Sequence, residues 1–338
     1  LPHSWDEFHF NAGKWKTGWN AFFGYADGEN RQSRKKQVKP YECGDVDDEG
    51  YPDGLTAKLA SEKLKELSAN EKPFFLAVGF FKPHLPFNAP KKYWDLYKRD
   101  EIPLSPNREV PSGISNASLH NSGEFNGYKL GDEKAGIGKP VSMEYERKIR
   151  HAYFACVSYI DAQIGKLLNT LEATGEADNT IIVIWGDHGW HLGDHTVWGK
   201  HTIFDRSLRS TLLVKVPDMK DKGISTNGIV ETIDLYPTLA ELCGLSVPVG
   251  VEGKSFVQLL GNPSGKGKSA AYGYFKNGIT MFNGEYRLSR YFRNTEPSIE
   301  LYDHKNDPFE TKNIAAEKPD IVKKLMPLWE KGNTGIFD

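Results

Sequence analysis

Residues 179–195 read NTIIVIWGDHGWHLGDH, and the reading of this stretch decides the fold. Positions 180–185 form an apolar, β-branched run, the composition of a strand buried on both faces of a parallel sheet. The run then ends in aspartates and histidines spaced by glycines, which a core strand does not need. Gly186 and Gly189 permit a sharp bend and close backbone approach, so Asp187 and His188 can turn toward one point. An aspartate oxygen suits a hard cation such as calcium, but calcium takes about six or more ligands, and two residues do not complete a shell. A polar turn capped by Asp187 is the competing reading.

Working outward, PFFLAVGFF at 73–81 is a second continuous apolar run and stops at Lys82-Pro83-His84. A helix with Asp53 as its N-cap is expected before it. From near Met143, Ile149, Tyr153, Cys156, Ile160, Ile164, Leu167 and Leu171 step by three or four, the stripe of a long helix stopped at Gly175. TLLVKVP (211–217) and NGIVE (227–231) read as further strands, and DLYPTLAELCGL (234–245) as a short helix with Pro237 in its first turn. This alternation predicts an α/β domain with a mostly parallel central sheet flanked by helices. Sites in such sheets lie beyond the carboxyl ends of the strands, which puts the Lys82–His84 and Asp187–His188 clusters on one edge. Residues 1–52 read as mostly irregular. After a linker at 262–269 come short aromatic strands and a last helix from about 317, a small C-terminal α+β subdomain. The expected domains are 1–262 and 263–338.

The chain has 338 residues, 38% hydrophobic and 26% charged, with Lys and Arg totalling 43 against 45 Asp and Glu. The formal charge of -2 gives no electrostatic argument for nucleic acid or an anionic membrane. The one basic run, RQSRKKQVK at 31–39, reads as a solvated loop rather than a polyanion site. No apolar stretch approaches the roughly 18 residues of a membrane span. Cys43, Cys156 and Cys243 form no CxxC pair, so they indicate neither a disulfide framework nor a zinc site.

Among the remaining candidates, His191 and His195 are four apart without the glutamate of a zinc helix. His191 reads as a packing residue and His195 as one that orients its loop. Lys200 and His84 are candidates for positive charge and proton transfer toward an anionic ester, against the plain reading of Lys200 as a surface charge. Arg209 holds either a carboxylate or substrate. Asp47-Asp48 reads as a loop. Trp190, Trp198, His201 and Arg206 are weak candidates for lining a carbohydrate pocket.

Together, FFLAVGFFKPHLPFNAPKKYW, HAYFACVSYIDAQIGKLLNTLE, NTIIVIWGDHGWHLGDHTVWGKHTIFD, DLYPTLAELCGL and ELYDHKNDPFETKNIA resemble the sulfatase family, most closely its iduronate-2-sulfatase-like members, in the family's order from about residue 40 to 320. The resemblance implies an alkaline-phosphatase-like α/β fold and a hydrolase acting on a sulfated sugar or polysaccharide. It implies a Ca2+ cofactor held partly by Asp187 and His188, with Lys200 on the sulfate and His84 beside the ester oxygen. Lys82, His195, His201 and Arg209 fall where substrate contacts are expected. A secreted, periplasmic or lysosomal home is implied in the same way.

The family's nucleophile is a formylglycine made from Cys or Ser in C/S-x-P-S-R, and no such motif occurs here. Cys43 leads into GDVD, Cys156 into VSYI and Cys243 into GLSV. The family's early Asp-Asp calcium ligands are absent too. These parts are expected in a preceding segment of on the order of a hundred residues, several βαβ units. The chain is then a partner of that segment and inactive without it. A phosphodiesterase or phosphonate hydrolase of the same superfamily, or a non-catalytic binder of sulfated glycans, are the alternatives.

Overall fold

A computed structural model describes residues 4–70, 72–220, 222–292 and 297–335. They form two compact units: 1–105 with 122–135 and 141–180, and 106–121 with 136–140 and 181–338.

The first unit is built on two helices. Pro52–Ser68 begins with proline at the first turn, where its missing N–H costs nothing. Its N-cap is Tyr51, not the expected Asp53, whose carboxylate is instead buried and accepts the Phe81 N–H at 2.6 Å. The long helix Met143–Ala173 starts where the sequence reading put it, because the Ser142 hydroxyl accepts the Tyr145 N–H at 3.1 Å. It stops at Gly175, whose φ of +79° a side chain would resist. Its buried face runs through Ile149, Ala152, Cys156, Tyr159 and Gln163, rotated from the expected stripe, so Ile160, Ile164 and Leu167 are half-exposed. Tyr159 ties the helices together: its hydroxyl accepts the Gly54 N–H at 2.7 Å and donates to the Asp48 carbonyl at 2.8 Å. A parallel pair, Tyr41–Gly44 with Phe87–Pro90, completes this core.

The expected strand at 73–81 forms no regular element, and its residues mostly alternate between exposed and half-buried. It makes no ladder with any other described residue. Ile182–Trp185 is a strand as expected but pairs antiparallel with Leu212–Lys215. Among the described residues outside the C-terminal region the strands are two-stranded pairs, of which only Tyr41–Gly44 with Phe87–Pro90 is parallel, so the expectation of a shared strand edge loses its geometric premise. An apolar run is consistent with a strand but does not name a strand to lie beside it.

In the second unit, Leu235–Leu242 is the predicted short helix with Pro237 in its first turn. Residues 227–231 form only an isolated bridge, Ile229 with Gly267. Ala271–Phe275, Gly278–Phe282, Tyr286–Tyr291 and Ser298–Asp303 make an antiparallel meander, closed by the helix Pro319–Trp329. Ile279, Met281, Leu288, Leu301 and Trp329 are all fully buried between sheet and helix. Each such side chain contributes about 1.5–3 kcal/mol relative to exposure. Among the described residues no helix is long and apolar enough to cross a membrane.

Candidate active site

Asp187 and His188 stand immediately beyond the strand Ile182–Trp185. The turn is fixed from both sides: the Gly186 N–H donates to the Thr211 carbonyl at 2.9 Å, and the Gly189 N–H to the Ser207 carbonyl at 2.8 Å. A Cβ at Gly189 would run into the carbonyl oxygens of Arg206 and Arg209, so only glycine fits there. His188 Nδ1 donates to the Gly189 carbonyl at 2.7 Å, which leaves Nε2 as the ring nitrogen free of that bond. Nε2 lies 3.5 Å from Asp187 Oδ2, and the Asp187 side chain is 78% exposed. The other Asp187 oxygen accepts the His188 N–H at 3.0 Å. A carboxylate oxygen and an imidazole nitrogen thus stand side by side, the carboxylate largely open to solvent. The Asp187 carboxylate fits calcium, which takes oxygen ligands, and with the imidazole beside it makes a partial shell only. Among the described residues no group of three or more His, Cys, Asp or Glu side chains stands together as a metal cluster.

Beyond this turn, residues 190–209 fold into a loop held largely by buried side chains. His191–Leu192 pairs antiparallel with Trp198–Gly199. His191 is fully buried, its Nε2 2.9 Å from the Thr202 hydroxyl; burial, with the nearby His195 ring, pushes its pKa down to about 3. His195 is also fully buried, with Nε2 2.9 Å from the Phe309 carbonyl, and burial lowers its pKa. His195 therefore anchors the loop through hydrogen bonds. Trp198 is buried at 1% exposure, a core residue rather than the wall of an open pocket. Lys200 places its ammonium 5.4 Å from the centroid of the Trp190 ring. The His201 ring stacks on Phe275 at 5.3 Å and meets His120 edge-on at 5.7 Å. Arg209 is exposed and pairs with Asp205 at 3.0 Å, the carboxylate-holding role weighed for it in the sequence.

A buried ion network pins the same loop to residues 304–310. Arg287 donates to Glu310 at 2.6 Å and to Asp205 at 2.8 Å, while His304 Nε2 lies 2.8 Å from Glu310. Burial raises the Glu310 carboxyl, but the charges of Arg287 and His304 outweigh it and hold the pKa at about 2. The Asp205 N–H donates to the second Glu310 oxygen at 2.8 Å.

Lys82 and His84 belong to the first unit. Lys82 is buried, and its ammonium donates to the His84 carbonyl at 3.1 Å. Burial disfavours charge on it and on neighbouring Asp53, lowering the lysine pKa and pushing Asp53 up to about 6. His84 Nδ1 lies 2.6 Å from the Leu85 carbonyl and Nε2 3.0 Å from Glu124. Its ring packs on Phe22 at 4.5 Å. Sequence reasoning missed Glu124, forty positions away in a glycine-rich stretch that carries no periodic signal. Asp47 caps a short turn, and Asp48 is buried against Lys92, Lys166 and Tyr93, at 2.8, 2.7 and 2.8 Å. Both are structural, as a loop reading requires.

A sulfatase family model matches residues 2–245, and a model of the N-sulphoglucosamine sulphohydrolase C-terminal region matches residues 193–331. Iduronate 2-sulfatase of Mus musculus is 32% identical over 276 residues, covering 73% of this chain and 49% of that protein. A sulfatase of Formosa agariphila is 33% identical over 282 residues, covering 78% and 52%. The chain thus spans about half the length of the curated relatives it matches. Two solved structures share its fold. One is a complex with the substrate D-glucosamine-2-N, 6-O-disulfate, with a TM-score of 0.67, 22% identity and coverage of 82% of this chain and 69% of that one. The other is the phosphonate monoester hydrolase of Agrobacterium radiobacter, with a TM-score of 0.73, 22% identity and coverage of 90% and 66%. The fold is alkaline-phosphatase-like, and by a match over most of its length this chain belongs to the sulfatase family.

Proposed function

We propose that the chain supplies part of the active site of a sulfuric ester hydrolase that removes sulfate from a sulfated carbohydrate. The observation that carries this reading is the open donor pair of Asp187 Oδ2 and His188 Nε2, 3.5 Å apart, in a chain of sulfatase sequence. This pair is suited to hold one side of a Ca2+ ion. The ion, when bound, would neutralise charge building on the sulfuryl oxygens. Lys200 adds a second positive charge, and its place over the Trp190 ring limits the side chain to few positions.

His84 is the proposed proton donor to the departing sugar oxygen, a poor leaving group if it departs as an anion. The Leu85 carbonyl holds Nδ1 and Glu124 holds Nε2, so the proton given to the sugar oxygen would be that of Nε2, with the sugar oxygen taking the place of Glu124. His201 and Arg209 are proposed substrate contacts, since the first is half-buried beside aromatic rings and the second is exposed. Burial of Lys82 and His195 argues for positioning roles in place of direct contact.

The formylglycine nucleophile and the remaining calcium ligands are proposed to come from a segment outside this sequence. Two things favour this: the missing C/S-x-P-S-R motif and, in the second unit, the apolar side chains of Trp185 and Leu213, which are 48% and 54% exposed on neighbouring strands. Such a segment would make the chain inactive alone, in a secreted, periplasmic or lysosomal setting. The test is sulfate release from a sulfated monosaccharide by this chain with and without that segment. Release only in its presence supports the reading, and release by neither preparation overturns it.

A further inference from the structure

We propose that a basic groove in the first unit, lined by Arg31, Lys35, Lys36 and Lys129, binds a second anionic group of a polysulfated glycan; this rests on the assignment of His84 to the active site. The groove is open and encloses about 600 Å³. Three observations separate it from an ordinary solvated loop. First, Lys35 and Lys36 both hold left-handed backbone, with φ of +51° and +65°. Such consecutive non-glycine residues persist only where the surroundings impose them, and they cluster at ligand sites. Here the Lys36 N–H donates to the Arg31 carbonyl at 2.8 Å, and the Lys36 carbonyl accepts the Lys129 N–H at 2.9 Å, so backbone bonds bring the cations together.

Second, the positive charge is not spent. The neighbouring Arg34 is paired with Asp27, but Lys35, Lys36 and Lys129 have no acidic partner among the described residues. In a chain of net charge -2, this local excess is the more conspicuous. Third, the groove adjoins His84. The Arg31 guanidinium lies 4.7 Å from the Tyr128 ring centroid and 5.4 Å from that of Phe23, while the Phe23 ring lies 6.3 Å from the His84 ring. One phenylalanine therefore separates the proposed proton donor from the cations. A sugar with a single sulfate would leave the groove empty; a chain with sulfates on successive residues would fill it.

The test compares a triple variant, Lys35→Gln/Lys36→Gln/Lys129→Gln, with a charge-matched control, Lys305→Gln/Lys323→Gln/Lys324→Gln, each checked for native circular dichroism. Binding of a heparin octasaccharide to this chain, titrated over a range of salt, is the primary readout. The groove variant is expected to lose at least tenfold in affinity and to show a shallower salt dependence, with the control within about twofold of wild type. Equal losses in both variants, or no loss in either, overturn the proposal. With the nucleophile-bearing segment present, the groove variant is expected to release sulfate from a monosulfated monosaccharide at the wild-type rate and from the octasaccharide more slowly; equal slowing on both overturns it too. Absence of hydrolysis by every protein would instead refute the active-site assignment, while the binding comparison still decides whether the groove takes polyanions.

Discussion

Arg287 donates to Glu310 at 2.6 Å with only 5% and 2% of the two side chains exposed. Glu310 also takes the Asp205 N–H, so this pair fastens the loop of Lys200 and Arg209 to the C-terminal sheet. Glu310→Gln leaves Arg287 buried with Asp205 as its remaining carboxylate, and the expected cost is about 3 kcal/mol in chemical denaturation at neutral pH.

The same pair fixes a pH dependence. The Glu310 carboxyl is held at about 2, below its ordinary value of about 4.5. A depressed carboxyl contributes stability fully above the unfolded value and loses it as pH falls through the folded one. The wild type should therefore lose stability between about 4.5 and 2 more steeply than Glu310→Gln. Parallel stability curves for the two proteins across that range would refute the network's role.

Gly189→Ala tests the turn that aims Asp187 and His188. The added Cβ meets two backbone carbonyls that cannot swing away as a side chain would. Overpacking of this kind costs about 1–3 kcal/mol, and the His188 ring should shift with the backbone. A crystal structure of the variant with an unmoved turn would contradict this.

How much of this was legible in the sequence differs from element to element. The helix Met143–Ala173 and the C-terminal meander announce themselves through period, cap and alternating aromatics. The 73–81 run does not reveal its lack of a ladder, because pairing depends on a neighbour that composition cannot name. Asp187, His188, Lys200 and His84 are visible as candidates from their place in the chain, but only the resemblance separates them from a plain turn or a surface charge. The burial of His191 matches its reading as a packing residue, whereas that of Trp198 carries no local signal. Nor does the ion network, whose members Asp205, Arg287 and Glu310 meet only through the tertiary fold.

Lys200→Ala should lower sulfate release by about 10²–10³ in kcat, the scale for removing one group aimed at transition-state charge. Binding of a sulfated monosaccharide should weaken far less. A near-normal rate would remove Lys200 from the mechanism.

Asp187→Ala should abolish calcium-dependent activity while leaving the denaturation midpoint close to wild type, because the side chain is largely exposed. Metal content of the dialysed enzyme is the direct check: full calcium occupancy in the variant would refute Asp187 as a ligand.

The most direct test of the central claim is denaturing mass analysis and peptide mapping of a preparation that hydrolyses a sulfated sugar. We predict a second, formylglycine-bearing peptide that is no part of the present sequence. Full sulfate release from a preparation containing this sequence alone would contradict the account.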